Sequence, residues 1–141
     1  MDVLITAEGL RQFREHWLGR GYVEARRGAK SVRDTETRVK IDFLIAGEFP
    51  GDSRPKPVQF PDPKERVEWI EGTPVLPLPS LIELKLASGM TTKDRPRDFD
   101  DVIRLIRVRG LPQNLSDHLN PFVRSKFDEL WEAAQLPSDD Y

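Results

Sequence analysis

The chain has 141 residues, 38% hydrophobic and 33% charged, with 22 Lys+Arg against 24 Asp+Glu and a net charge of −2. This length suits one domain with its own core, and the near-neutral balance excludes a chain-wide basic field for nucleic acid. The absence of cysteine excludes disulfides, a thiol nucleophile and Cys-ligated zinc, and only two histidines, His16 and His118, stand against most His-based metal sites and triads. The longest apolar run, Phe43 to Ala46, has four residues and cannot cross a membrane. The opening MDVLITAEGL lacks a basic n-region, so the chain reads as cytoplasmic, with no membrane partner.

The chain opens in a strand, Val3-Leu4-Ile5. Thr6 is placed to cap a helix over about 7–18, whose apolar stripe is Leu10, Phe13 and Trp17, and Gly19 and Gly21 end it. Tyr22 to Glu24 reads as the start of a strand, and the polar segment Arg26 to Arg38 as a hairpin or mobile loop. Arg38 to Ala46 (RVKIDFLIA) is the clearest strand: Val39, Ile41 and Phe43 alternate with Arg38, Lys40 and Asp42 before the sequence turns wholly apolar. Eight of the 12 prolines fall between Pro50 and Pro79, which predicts loop with short extended pieces at Val67 to Ile70 and Pro74 to Leu76.

The rest reads as helical. A helix over Leu81 to Ser88 is expected to stop at Gly89, and Phe99, Val102, Ile103 and Ile106 mark a second that stops at Gly110. Asn120-Pro121 is an N-cap followed by a proline at the first helical position, opening a helix whose stripe is Val123, Phe127, Leu130 and Ala134. The order β-α-β-β…β-α-α-α predicts a single α/β (α+β) domain over 1–141. Residues 1–77 are mostly sheet with one helix and a Pro-rich loop, and residues 78–136 are helical.

Chemistry concentrates at Asp2, Asp42, Lys85 and the run Arg97-Asp98-Phe99-Asp100-Asp101. Two strand carboxylates brought together by a sheet suit Mg²⁺, which takes one or two carboxylates plus substrate phosphates, and a nearby lysine neutralises phosphate charge. The plain alternative is acids at strand ends facing water, with Asp42 paired to Lys40 at the surface.

The segments MDVLIT, VKIDFLIAG, LPSLIELKLASG and KDRPRDFDDVIRLI resemble the nucleotidyltransferase superfamily over about residues 1–109. They are most similar to its minimal bacterial members and abortive-infection toxins. The resemblance implies a small mixed sheet, a pair of Mg²⁺ (or Mn²⁺) ions, and transfer of a nucleoside monophosphate from an NTP to an RNA or protein hydroxyl. It also implies an antitoxin partner. It makes Asp2 the second Asp of an Asp-x-Asp pair and Asp42 the third carboxylate. Lys85 is matched to a lysine near the phosphates, Arg97 to nucleotide binding, and Asp98 and Asp101 to supporting positions. The family's Gly-Ser turn and first Asp do not occur in the chain, and Met1-Asp2-Val3-Leu4-Ile5 reads like the tail of an Asp-Met-Asp-Val-Leu-Ile strand. A non-catalytic domain of the same fold is therefore the second reading.

A third reading uses Glu83-Leu84-Lys85 as the E-x-K of an Mg²⁺ nuclease with Asp42 upstream, the lysine polarising the attacking water. It requires IELKL to be a strand with Glu83 and Lys85 on one face. Ser80-x-x-Glu83 fits a helical capping box instead, unless Pro79 is already helical.

Arg26, Arg27, Lys30, Arg33, Arg38 and Lys40, with Arg54 and Lys56 beyond, read as solvated loop or as a groove for RNA or nucleotide phosphates. Arg104, Arg107 and Arg109 complement their own helix's C-terminal dipole. Trp17, Trp69 and Trp131 read as buried or half-buried anchors, His16 and His118 as surface residues, and Asp139-Asp140-Tyr141 as a frayed tail.

Overall fold

The computed structural model describes residues 1–94 and 96–137, so the tail Asp139-Asp140-Tyr141 lies outside the described residues. The described chain is a mixed α/β fold with its helices weighted to the C-terminal half. It divides into two compact units, one of Met1–Glu48 with Phe60–Arg66, the other of Phe49–Gln59 with the residues from Val67 onward.

The first unit holds β1 (Asp2–Ile5), α1 (Ala7–Trp17), β2 (Tyr22–Glu24), β3 (Ser31–Asp34) and β4 (Lys40–Ile45). They build a four-stranded sheet in the order β1-β4-β3-β2, with β1 parallel to β4 and the other pairs antiparallel. β3 falls inside Arg26–Arg38, so that segment is a hairpin arm: its polar residues conceal the one buried position, Val32. Thr6 caps α1 as expected, its hydroxyl accepting the Gly9 N–H at 3.0 Å. One sheet face supplies the core: Val3, Ile5, Val32, Ile41, Phe43 and Ile45 pack with Leu10 and Phe13 of α1. Phe13 stands edge-on to Tyr22 and to Phe43, with ring centroids 5.1 and 5.3 Å apart. Trp17 is 53% exposed, which corrects its reading as an anchor. It lies on the Leu10 stripe but in the last turn of α1, next to the C-cap Leu18, which joins the core in its place.

The second unit holds the hairpin β5 (Glu68–Ile70) and β6 (Thr73–Val75), then α2 (Leu78–Thr91), α3 (Pro96–Arg109), a 3₁₀ turn over Gln113–His118, and α4 (Pro121–Gln135). Ile82, Leu86, Val102, Ile106, Leu119, Val123 and Phe127 are essentially inaccessible and form its core. Trp69, on the hairpin, is 66% exposed and anchors nothing, whereas Trp131 is half-buried and donates its indole N–H to the Leu111 carbonyl at 2.9 Å. The Asn120 cap forms as expected, its side chain accepting the Phe122 N–H at 2.9 Å. Arg107 serves α4 rather than its own helix, donating to the carbonyls of Ala133, Ala134 and Leu136 at α4's C-terminal end.

Two features overturn local expectations. Gly89 does not stop α2; the helix runs on to Thr91. A Cβ there would lie 2.6 Å from Phe99 Cε1, so the glycine is present because α3's ring packs onto α2's backbone. The Pro-rich segment Phe49–Gln59 is ordered around the ammonium of Lys56. That group donates to the Pro50 and Arg54 carbonyls and to Asp52 Oδ1 at 2.6, 2.8 and 2.7 Å. Gly51 in this segment has φ +73°, and a Cβ there would sit 3.0 Å from Ser88 Cα, so α2's backbone and the turn both require glycine.

Candidate functional site

The carboxylates picked out in the sequence come together in the first unit. Parallel pairing sets Asp2 directly beside Asp42 on the neighbouring strand, and the Asp42 N–H donates to the Met1 carbonyl at 2.8 Å. Val3, Ile5, Ile41, Phe43 and Ile45 occupy the core face, so strand alternation puts Asp2 and Asp42 on the opposite face. Ser31, on β3, is Asp42's register partner on the other side, and the three polar residues form one row across the sheet. Lys40, two positions before Asp42, shares this face and brings its Nζ to 3.4 Å from Asp42 Oδ1, with Asp42's side chain 43% exposed.

Like charges directly opposite on neighbouring strands oppose sheet formation by a few tenths of a kcal/mol up to ~1 kcal/mol. A solvent-exposed lysine offsets little of that. A hard divalent cation offsets all of it, and two accessible carboxylates with room for water fit Mg²⁺'s ordinary donor set. Among the described residues no group of three or more His, Cys, Asp or Glu is placed to hold a metal, so the pair stands without a third protein carboxylate.

The other candidates lie in the second unit. Lys85 on α2 donates to Asp101 Oδ2 on α3 at 2.8 Å, and both side chains are about two-thirds or more buried. This interhelical pair was not expected from the sequence, which placed both residues in one constellation without pairing them; the signal was their place directly beside the buried Leu86 and Val102. Arg97 and Asp98 occupy the first turn of α3, where the acid meets the positive end of the helix dipole; Arg97 is exposed and Asp98 half-buried.

The E-x-K arrangement does not form. Residues 78–91 are helix, so Glu83 and Lys85 do not share a strand face. Nor does Ser80 cap that helix: Pro77 is the N-cap and Pro79 lies in the first turn. Glu83 instead reaches 37 residues along the chain and accepts the Asn120 N–H at 2.8 Å, fixing the start of α4. Replacing Glu83 by alanine should leave that backbone donor without its partner and cost about 1–3 kcal/mol, with no loss of metal binding. Chemical denaturation of the variant, with Mg²⁺ titration alongside, checks both parts.

The remaining basic residues have mostly local tasks. Lys30 pairs with Glu48, Arg14 donates to the Ala29 carbonyl at 2.7 Å, and Arg33 donates to the Arg38 carbonyl at 2.7 Å. His16 turns Nδ1 to the Gln12 carbonyl at 2.8 Å, and His118 is exposed at the end of the 3₁₀ turn. No protein-family model matches the chain, and no curated protein or solved structure is significantly similar to it.

Proposed function

We propose that the chain is a nucleotidyltransferase-like protein that binds nucleoside triphosphate through Mg²⁺ (or Mn²⁺), with RNA or a protein hydroxyl as acceptor. The observation that supports this is the in-register pairing of Asp2 with Asp42 on the sheet face opposite the core. Asp2 and Asp42 would hold the cation from adjacent strands, and Ser31 lies beside them as a neutral oxygen donor. The ion would neutralise the phosphates and polarise the transferred phosphoryl group. Lys40, next to the carboxylates, would meet phosphate charge as a point cation. The family resemblance gives Lys85 the same task, but its ammonium is engaged by Asp101 within the second unit.

Calorimetric titration of the 141-residue protein with NTPs, with and without Mg²⁺, tests the proposal. Binding is expected only with Mg²⁺, and Asp42→Ala should weaken it at least about tenfold, since one of two protein ligands is lost. The same substitution relieves the Asp2–Asp42 repulsion and should leave stability unchanged or raised. That separates a lost ligand from a damaged fold. Absence of Mg²⁺-dependent binding in the parent protein, or its persistence in Asp42→Ala, would overturn the reading in favour of a non-catalytic domain.

A further inference from the structure

The seam between α2 and α3 carries a second polar arrangement. Lys85 and Ser88 follow one another at helical spacing along α2, with Thr92 at its C-cap, and Asp101 and Asp98 do so along α3 in the opposite sense. The Lys85–Asp101 ion pair fixes the alignment of the first rung. Gly89 against Phe99 fixes it again one turn further toward the α2–α3 connection. Helical spacing, one turn from Asp101, sets Asp98 toward the same helix in the stretch of Ser88 and Thr92. At this second rung Asp98 Oδ2, Ser88 Oγ and Thr92 Oγ1 are all buried, and none has a hydrogen-bond partner. Ser88 as a whole is only 6% exposed. Buried polar atoms without partners are rare, and three at one seam call for a common explanation. The first rung meets its carboxylate with an ammonium; the second has a carboxylate and two hydroxyls that, among the described residues, meet no cation.

We propose that this rung binds a monovalent alkali cation, held by Asp98 Oδ2, Ser88 Oγ and Thr92 Oγ1 at the C-terminal end of α2. One carboxylate neutralises one positive charge, and hydroxyl oxygens are the neutral donors such an ion accepts. The negative end of the α2 dipole is set against the positive end of the α3 dipole at Asp98, so the attraction comes from the carboxylate and hydroxyl oxygens. Mg²⁺ is disfavoured, because it keeps its waters and demands near-ideal octahedral geometry, which a closed seam between packed helices does not offer. The site is independent of the Asp2–Asp42 pair and does not rest on the nucleotide reading.

The test is thermal unfolding of the full chain in KCl, NaCl and choline chloride at equal ionic strength. Binding to the folded state alone raises Tm by mass action, so KCl or NaCl should exceed choline chloride by roughly 3 °C or more. The larger of the two shifts assigns the ion. The isosteric Asp98→Asn should abolish the cation dependence, Ser88→Ala should weaken it, and Asp42→Ala should keep it whole. Because each variant is compared with itself across salts, a change in its basal stability does not obscure the result. Equal Tm in all three salts, or a dependence that survives in Asp98→Asn, overturns the proposal and leaves the rung to water or to its own hydroxyls.

Discussion

Replacing Lys56 by methionine is expected to lower the stability of the protein by about 3 kcal/mol, or roughly 10 °C in Tm. The substitution keeps an unbranched apolar stem of similar length, so packing changes little. It removes a cation whose side chain is only 5% exposed and which donates to three oxygens within 2.8 Å. The Pro50 and Arg54 carbonyls lose their donor, and the Phe49 ring loses the ammonium 5.8 Å from its centre. The Pro-rich segment has no ladder of its own to replace these bonds. Acid should mimic part of the effect. The Asp52 carboxyl is held below its ordinary range, first by the hydrogen bond from Lys56 and then by the Arg54 N–H. A depressed folded-state value means that this stabilisation is present above about pH 4 and fades as the pH falls below it. Calorimetry of Lys56→Met and the parent protein between pH 3 and pH 7 checks both points: the variant should melt lower throughout and lose less on acidification. A variant within about 0.5 kcal/mol of the parent, the range of ordinary surface changes, would show that the ammonium does not organise the segment.

Gly89→Ala is the second large effect, and its sign is the informative part. In an ordinary helix interior the change to alanine would stabilise by ~1 kcal/mol. Here the new methyl would lie 2.6, 2.9 and 3.0 Å from three atoms of the Phe99 ring. Overpacking of this kind costs typically ~1–3 kcal/mol, which outweighs the propensity gain. The ring has little freedom to retreat, since Lys126 stands 5.1 Å from its centre on the α4 side. Chemical denaturation should therefore show Gly89→Ala to be less stable than the parent. In the background Phe99→Leu, where the ring is gone, the same change should turn neutral or stabilising, giving a coupling energy above ~0.5 kcal/mol. Additivity of the two substitutions would mean that the helices do not meet at this point.

These residues also show what a linear reading can see. Thr6 and Asn120 were legible as caps because a cap is a local device: the acceptor and the backbone N–H it meets lie two or three residues apart. Gly89 was misread because a glycine that ends a helix and one that admits a neighbouring helix look identical in sequence; only Phe99, ten residues away, distinguishes them. Lys56 was hidden among surface cations because two of its three partners are backbone carbonyls, which every residue possesses. Glu83 looked like a capping or catalytic acid because its partner, the Asn120 N–H, is distant in the chain. Of the candidate site, the meeting of Asp2 and Asp42 on a sheet was foreseeable from two strands with an acid near the start of each, but their register was not. The Lys85–Asp101 pair depended on how two helices align, and helical periodicity gives the faces without giving that alignment.

The parallel pairing of β1 with β4 has a kinetic consequence. Asp2 and Asp42 are 40 positions apart, and α1, β2 and β3 lie between them. The β2–β3 and β3–β4 pairs close short loops and can form as a meander, whereas β1 must be recruited across the whole intervening chain. Strand β1 is thus expected to dock late in folding, and the carboxylate pair does not exist until it does. A cation bound there would act as a clasp on the last-formed edge of the sheet. It would slow the detachment of β1 far more than it speeds the strand's arrival, so the occupancy of one ion would be read out as the lifetime of the folded unit.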